Sequence, residues 1–195
     1  GTLTDVSSSI TTTFDSQVAT SLHYTTTGSR KVISDFSSRV GNPDFGTYGA
    51  VLAHGGGHAA TNDNSVYALK LGASSLDWAR LSTPYDFGSG NDTTNQSALT
   101  DDTTGHYPDG QPCSFHSYDL LNVKPPSAGG AANGTLLTVM RTACGNAGTG
   151  PNDVRNAHAL ALTDTVGPFA WSQVAGTAGG AAYPGASSAY DPTRN

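Results

Sequence analysis

The chain has 195 residues, of which 12% are charged, and its net charge is −6. That length is typical of one domain, and the weak acidic balance is unlike that of nucleic-acid-binding modules, which cluster Lys and Arg on one face. We therefore predict no nucleic-acid partner. Because no apolar run approaches the roughly 18 residues of a membrane-crossing helix, we also predict no membrane span.

The composition favours strands and turns over helices. All 15 acidic residues are Asp, and the chain has 24 Gly, one Met and few Lys. Glu, Lys and Met are good helix formers, whereas Gly, Asn, Asp and Thr are poor ones. No window has the sustained i, i+3, i+4 apolar spacing of an amphipathic helix. The sequence therefore predicts an all-β, turn-rich fold.

In chain order, the apolar and turn patterns predict two sets of four short strands separated by a long loop. Residues 1–30 are rich in Ser and Thr and predict an N-terminal arm or edge strand. Residues 82–112 are polar and rich in Gly, Asp and Asn, which is typical of a functional loop. The predicted strands are 31–36, 48–54, 65–71 and 77–81, then 115–123, 135–142, 157–162 and 169–174.

The two sets look like copies of one unit. In each, an apolar strand ends in glycine, an alternating strand follows, and a Trp lies near the start of the last strand. The glycines are Gly55, Gly56 and Gly57 in the first unit and Gly145 in the second, and the tryptophans are Trp78 and Trp171. Placing Trp78 and Trp171 at equivalent positions predicts a repeated four-stranded unit, as in a propeller blade.

The phrases "HGGG", "NSVYAL" and "DWARL" resemble kelch repeats, and more closely a bacterial or phage group of kelch-like, galactose-oxidase-like propellers. The resemblance implies an all-β, kelch-like β-propeller with blades at 31–81 and 113–176 and the start of another at 177–195. Propellers close with four to eight blades. We therefore expect an incomplete set, completed by the same parent chain or by partner chains. The glycines would allow close backbone approach, and Tyr67 and Trp78 would pack blade against blade.

Loops project from one face of a propeller and carry recognition there. We predict that loops 82–112 and 143–156 bind a protein or carbohydrate partner, with Tyr85, Phe87, His106 and Tyr107 as aromatic anchors. The predicted function is a non-catalytic binding or structural assembly module on a cell surface or virion. An extracellular location fits the low Lys content and the abundance of Ser and Thr.

The alternative is a fragment of a galactose-oxidase-like copper-radical oxidase, which would need Tyr and His ligands and a Tyr–Cys cross-link. No Tyr, Cys and His set here matches that motif residue by residue, so copper is disfavoured and no cofactor is firmly predicted. "HGGG" is also the oxyanion-hole phrase of some esterases, but the chain has no G-x-S-x-G nucleophile motif.

His54 and His58 are candidate metal ligands, with Asp63, His116 or His158 as a third ligand. The interpretation that we favour for the two histidines is structural, because Gly-Gly-Gly between them will not form a helix and they can hydrogen-bond backbone in a turn. The Asp- and Asn-rich turns make calcium the other candidate cation. Cys113 and Cys144 permit one disulfide but equally two buried thiols.

Overall fold

The fold is mostly β, as the sequence predicts. The computed structural model describes residues 9–35, 37–56, 61–88, 107–115, 117, 120–139, 157–163 and 170–174. Within them, nine strands form a five-stranded and a four-stranded sheet, and the longest helix has nine residues. No helix in this described part is long and apolar enough to cross a membrane.

The first sheet has the order β1-β5-β4-β3-β2. Strands β2 to β5 follow one another as an antiparallel meander, and β1 joins the free edge of β5 in parallel, with Ile10 opposite Leu76. The strands are β1 (Ile10–Thr12), β2 (Ser37–Asn42), β3 (Ala50–Gly55), β4 (Tyr67–Leu71) and β5 (Leu76–Arg80). The turn between β4 and β5 is closed by the Gly72 N–H, which donates to the Ser75 carbonyl at 2.8 Å.

The second sheet is a four-stranded antiparallel meander in the order β6-β7-β8-β9. Its strands are β6 (Leu121–Lys124), β7 (Thr135–Val139), β8 (Ala157–Ala161) and β9 (Ser172–Val174). Leu136 and Thr138 of β7 are buried while Leu137 between them is only half-buried. This alternation follows from the pleat, which points successive side chains to opposite faces of a sheet.

The main hydrophobic core lies between the two sheets, and each fully buried leucine in it contributes roughly 2 kcal/mol of burial free energy. It contains Ala50, Leu52, Val66, Ala68, Ala79 and Leu81 from the first sheet side and Leu121, Leu136, Leu160, Leu162 and Trp171 from the second. Strands β2 and β6 lie next to each other. There the Ser38 hydroxyl accepts from the Leu121 N–H, and the Asn42 side chain donates to the Asn133 carbonyl at 2.8 Å.

A second core covers the opposite face of the first sheet. The N-terminal segment packs Phe14 against Tyr67 and Trp78, with ring centroids 4.6 Å and 5.2 Å apart. Val32, on helix α1 (Thr26–Ser34), is fully buried in the same cluster. The resemblance implied that Tyr67 and Trp78 would pack against another blade. They pack instead against the chain's own N-terminal segment.

Two sequence predictions are wrong in detail. Residues 31–34, assigned to the first predicted strand, belong instead to α1, which begins after Thr25 because that side chain caps the Gly28 N–H at 3.1 Å. Trp78 and Trp171 do not occupy equivalent places, since Trp78 lies in the N-terminal core and Trp171 in the core between the sheets. A shift of one residue in a strand suffices to move a side chain to the other face.

Candidate functional site

The candidate site lies at the end of the first sheet where β3 finishes and β4 begins. We call this the loop end, formed by residues 54–56, 61–66, 82–88 and 107–117 as far as they are described. Gly55 and Gly56 have φ values of 118° and 89° there. A Cβ atom on Gly55 would lie 2.9 Å from the Phe115 carbonyl oxygen, and one on Gly56 would lie 2.7 Å from that of Lys31. Glycine is therefore required at these two positions by the backbone conformation and by the close approach of neighbouring backbone. Gly57, Gly145 and His58 lie outside the described residues.

The polar loop, residues 61–65, is buried along its whole length. Asp63 organises it, because its Oδ1 accepts from the Ser65 N–H at 2.9 Å and its Oδ2 accepts from the Tyr67 hydroxyl at 2.8 Å. Burial, the Asp63 charge and the hydrogen bond to Asp63 raise the pKa of Tyr67 well above its usual range, so this phenol stays a donor. Both Asp63 oxygens are thus used to shape the loop.

Hydrogen bonds of Asn64 and Tyr107 hold both ends of the long loop, residues 82–112, against this buried turn. The Asn64 amide donates to the Pro112 carbonyl at 2.9 Å and accepts from the Tyr85 N–H at 2.9 Å. The Tyr107 hydroxyl donates to the Asn62 carbonyl at 3.0 Å. Burial raises the pKa of Tyr107 far above its usual value. The described ends of the 82–112 loop are therefore held by buried hydrogen bonds.

Three of the four predicted aromatic anchors meet in one cluster. The ring centroids of Tyr85 and Phe87 are 4.7 Å apart, and that of Tyr107 is 4.8 Å from Phe87 and 5.5 Å from Tyr85. Tyr107 is only 1% exposed, whereas Tyr85 and Phe87 are half-buried. Tyr107 is therefore an internal support, and Tyr85 and Phe87 form the accessible part; His106 and the 143–156 loop lie outside the described residues.

Cys113 lies beneath the aromatic cluster, is fully buried and is disulfide-bonded. The chain's other cysteine, Cys144, lies outside the described residues. Ser114 and Ser117 follow Cys113 and lie beside β3. The Ser114 hydroxyl donates to the Gly55 carbonyl at 3.0 Å, and the Ser117 hydroxyl donates to the His54 carbonyl at 2.6 Å. The segment is thus fixed to β3 by side-chain hydrogen bonds.

His54 is fully buried near the end of β3 and faces the backbone of the polar loop, in keeping with a structural role. Its Nδ1 lies 3.4 Å from the Ser65 carbonyl oxygen, which can only accept, so Nδ1 carries the proton. Burial lowers the pKa of His54 from 6.5 to about 4, and the ring is neutral at pH 7. Within the described ranges, no group of three His, Cys or Asp side chains is placed to hold a metal ion. His116 lies outside those ranges, and His158 is buried on β8.

His54 makes the stability of the fold sensitive to acid. Its pKa is lower in the folded than in the unfolded chain, so the unfolded state binds the extra proton between pH 6.5 and 4. The free energy of unfolding should therefore fall by about 3 kcal/mol over that window from this group, with no change above it. We expect urea unfolding at pH 7.0, 5.5 and 4.5 to lose this acid-dependent part in His54→Asn.

The matched control is His23→Asn, at an exposed left-handed position (φ 64°) that Asn tolerates. It should keep the wild-type dependence on pH. An equal slope in His54→Asn and wild type would show that another group causes the acid sensitivity.

Sequence reasoning missed the residues that hold the site together. Tyr24, in the N-terminal segment, donates from its hydroxyl to the Tyr85 carbonyl at 2.8 Å. Ser114, Ser117 and Asn64 are similarly structural. The run "TNDNS" was the available signal, since short Asx and Ser/Thr side chains bind nearby backbone in turns, but nothing in it indicates burial.

Comparison with models of protein families, with curated proteins and with solved structures finds no match to this chain.

Proposed function

We propose that the chain is a non-catalytic, kelch-like propeller module that binds a protein or glycan partner outside the cell, on a cell surface or on a virion. Of the two ligand classes, glycan fits the loop end better. The observation that carries this choice is the tripeptide Tyr85-Asp86-Phe87, where two half-buried aromatic rings flank an exposed carboxylate. Aromatic faces stack on sugar rings, and a carboxylate accepts hydrogen bonds from sugar hydroxyls.

The arrangement of the sheets supports the propeller part of the proposal. Each sheet contains four consecutive antiparallel strands, and the first strands of the two meanders, β2 and β6, lie side by side. Strands of both sheets, including β6 through Leu121, contribute to one apolar core. Blades that radiate from a common axis have this relation, because their inner strands approach one another most closely.

Rigidity supports the binding part of the proposal. A preorganised surface loses less conformational entropy on binding than a mobile loop. Here the Tyr85 backbone is held by Asn64 and Tyr24, and the Asp86 carboxylate accepts from the Gly88 N–H at 2.8 Å. The two rings rest on Tyr107. The accessible tripeptide is therefore presented in a fixed geometry.

The copper-radical alternative is not favoured by the residues present. Cys113 is in a disulfide and has no thiol for a cross-link to tyrosine. The buried Tyr107 hydroxyl is engaged with backbone at Asn62 and Ser114, and its raised pKa opposes the phenolate that binds a metal. The described tyrosine and cysteine at this site therefore do not fit copper. The disulfide supports an extracellular location, because disulfides persist in oxidising compartments.

The experiment is a glycan array followed by calorimetry on the bound sugars. Phe87→Ala should weaken binding about tenfold, because it removes one stacking face worth roughly 1.4 kcal/mol. Asp86→Asn should weaken the same interaction while preserving the Oδ1 acceptor that holds the Gly88 N–H. Unfolding by urea measures whether either variant has lost stability instead.

Tyr48→Ala is the matched control, since Tyr48 is 57% exposed and precedes β3 at the other end of the first sheet. Its affinity should equal that of the wild type. Loss of sugar binding in Tyr48→Ala but not in Phe87→Ala would place the binding site at the end of the sheet opposite the loop end and would contradict the proposal. If no glycan binds and a protein ligand is captured through Phe87, the glycan assignment is wrong although the loop end is the binding surface.

A further inference from the structure

The core between the sheets contains a small polar region around Trp171. His54 of β3 lies on one side, with its ring centroid 5.3 Å from that of Trp171. On the other side, His158 of β8 lies 6.4 Å from the Trp171 ring and directly opposite Thr138 of β7. His54, His158 and Thr138 are fully buried, and Trp171 is 9% exposed. Both sheets thus place polar side chains at one point of an otherwise apolar interface.

Among the side-chain atoms of this region, His54 Nε2, Trp171 Nε1 and Thr138 Oγ1 are buried and have no hydrogen-bond partner among the described residues. A buried polar atom without a partner is costly, and nearly all such atoms in folded proteins bind protein or ordered water. Two of these atoms, His54 Nε2 and Trp171 Nε1, belong to rings that lie against each other, and Thr138 pairs across the strands with His158, whose ring contacts the same indole.

Their hydrogen-bonding roles are complementary. Trp171 Nε1 can only donate. His54 Nε2 can only accept, because the proton of this neutral ring is on Nδ1, which faces the Ser65 carbonyl. The Thr138 hydroxyl can do either. A ligand between these atoms must accept one hydrogen bond, donate another and be small enough for a packed core.

We propose that one buried water molecule binds here, accepting from Trp171 Nε1 and donating to His54 Nε2, with Thr138 Oγ1 as its third partner. Buried waters typically make about three hydrogen bonds to otherwise unsatisfied groups. A cation does not fit, since the indole N–H directs a positive hydrogen toward the site. An anion does not fit either, since the His54 nitrogen presents a lone pair. The water would link the first sheet to the second.

Nuclear magnetic resonance of the 15N-labelled chain tests this directly. The indole protons of Trp78 and Trp171 are assigned by loss of one signal in Trp171→Phe. The Trp171 indole proton should show cross-peaks to water in both NOESY and ROESY spectra. The two cross-peaks should have opposite signs, which indicates a water molecule with a long residence time. The same cross-peaks should persist in Thr138→Val, which excludes transfer through the threonine hydroxyl. Their absence from the wild-type spectra would overturn the proposal.

The stability of Thr138→Val gives an independent test. If the hydroxyl binds the water, its removal should lower the melting temperature by about 2 to 4 °C. If the hydroxyl has no partner, its replacement by an apolar group should raise the melting temperature, and the proposal fails. Thr83→Val, at an exposed position, should leave the melting temperature unchanged.

A high-resolution crystal structure should show solvent density within hydrogen-bonding distance of both ring nitrogens. A direct bond from Trp171 Nε1 to a side chain, or anomalous scattering from a metal at this point, would contradict the assignment.

Discussion

Gly55→Ala should destabilise the chain by about 4 kcal/mol, enough to leave much of it unfolded at 37 °C. The φ of 118° at this position is one that an L-residue adopts only under strain. The new Cβ would also lie 2.2 Å from the Ser117 hydroxyl oxygen and 2.9 Å from the Phe115 carbonyl oxygen. The serine can rotate, but the backbone carbonyl cannot move without displacing the segment that carries the disulfide. Urea unfolding followed by circular dichroism measures the loss.

Gly41→Ala is the control within the same sheet. Gly41 lies on β2, is exposed, and has no atom within 4 Å of the position where its Cβ would be built. Alanine there should change stability by less than about 1 kcal/mol and can increase it by restricting the unfolded chain. Equal unfolding midpoints for the two variants would refute the role assigned to Gly55.

Asp63→Ala should destabilise the fold by about 4 kcal/mol, since it removes two charge-assisted hydrogen bonds from a fully buried site. The Ser65 N–H and the Tyr67 hydroxyl would lose these acceptors, and the space of the carboxyl would be left as a cavity. Because the same turn holds both arms of the long loop, glycan affinity should fall together with stability. Calorimetric melting and the glycan titration described above measure the two effects.

Asp63→Asn is the graded comparison. Its Oδ1 still accepts from the Ser65 N–H, but its amide group donates where the Tyr67 hydroxyl also donates. Asp63→Asn should therefore lose about half as much free energy of unfolding as Asp63→Ala. Asp109→Ala, on an exposed turn, should cost less than about 1 kcal/mol although it removes the acceptor of the Gln111 N–H. A loss in Asp109→Ala as large as that in Asp63→Ala would contradict the central position of Asp63.

The sequence predicts the strands of both meanders well where apolar alternation and glycine punctuation coincide. Residues 48–54 and 65–71 contain or overlap β3 and β4, and 157–162 contains β8. The glycine run marks the end of β3 because two of its members have backbone conformations that other residues avoid. Local chemistry determines these features, so they can be inferred without knowledge of the tertiary structure.

Helix α1 could not be predicted from propensity. Its sequence, TTGSRKVIS, combines Thr, Gly and Ser, which are poor helix formers, with a short length that is unstable in isolation. Burial of Val32 against the first sheet stabilises it, and that contact depends on the tertiary fold. The cap at Thr25 was the only local signal. Residues 37–42, which form β2, lie between the predicted strands 31–36 and 48–54, so the sequence does not predict this strand.

The aromatic side chains of the candidate site were identified by their position in a long polar loop, and the structure brings Tyr85, Phe87 and Tyr107 together. Their different exposures could not be inferred, because burial of Tyr107 depends on hydrogen bonds to Asn62 and Ser114. The same limitation applies to Trp78 and Trp171. A matching phrase in two repeats does not fix the register of each strand, and the register decides which core a tryptophan enters.

The parallel pairing of β1 with β5 determines the order in which the strands of the first sheet can assemble during synthesis. Strand β1 leaves the ribosome before β2, β3 and β4, yet its partner, Leu76 opposite Ile10, is made more than sixty residues later. The antiparallel meander can form from neighbouring strands as they emerge, whereas the N-terminal strand must wait for β5 and then close a long loop. Docking of the N-terminal segment is therefore a late event in the folding of this sheet, and Tyr67 and Trp78 remain uncovered on the nascent chain until it occurs.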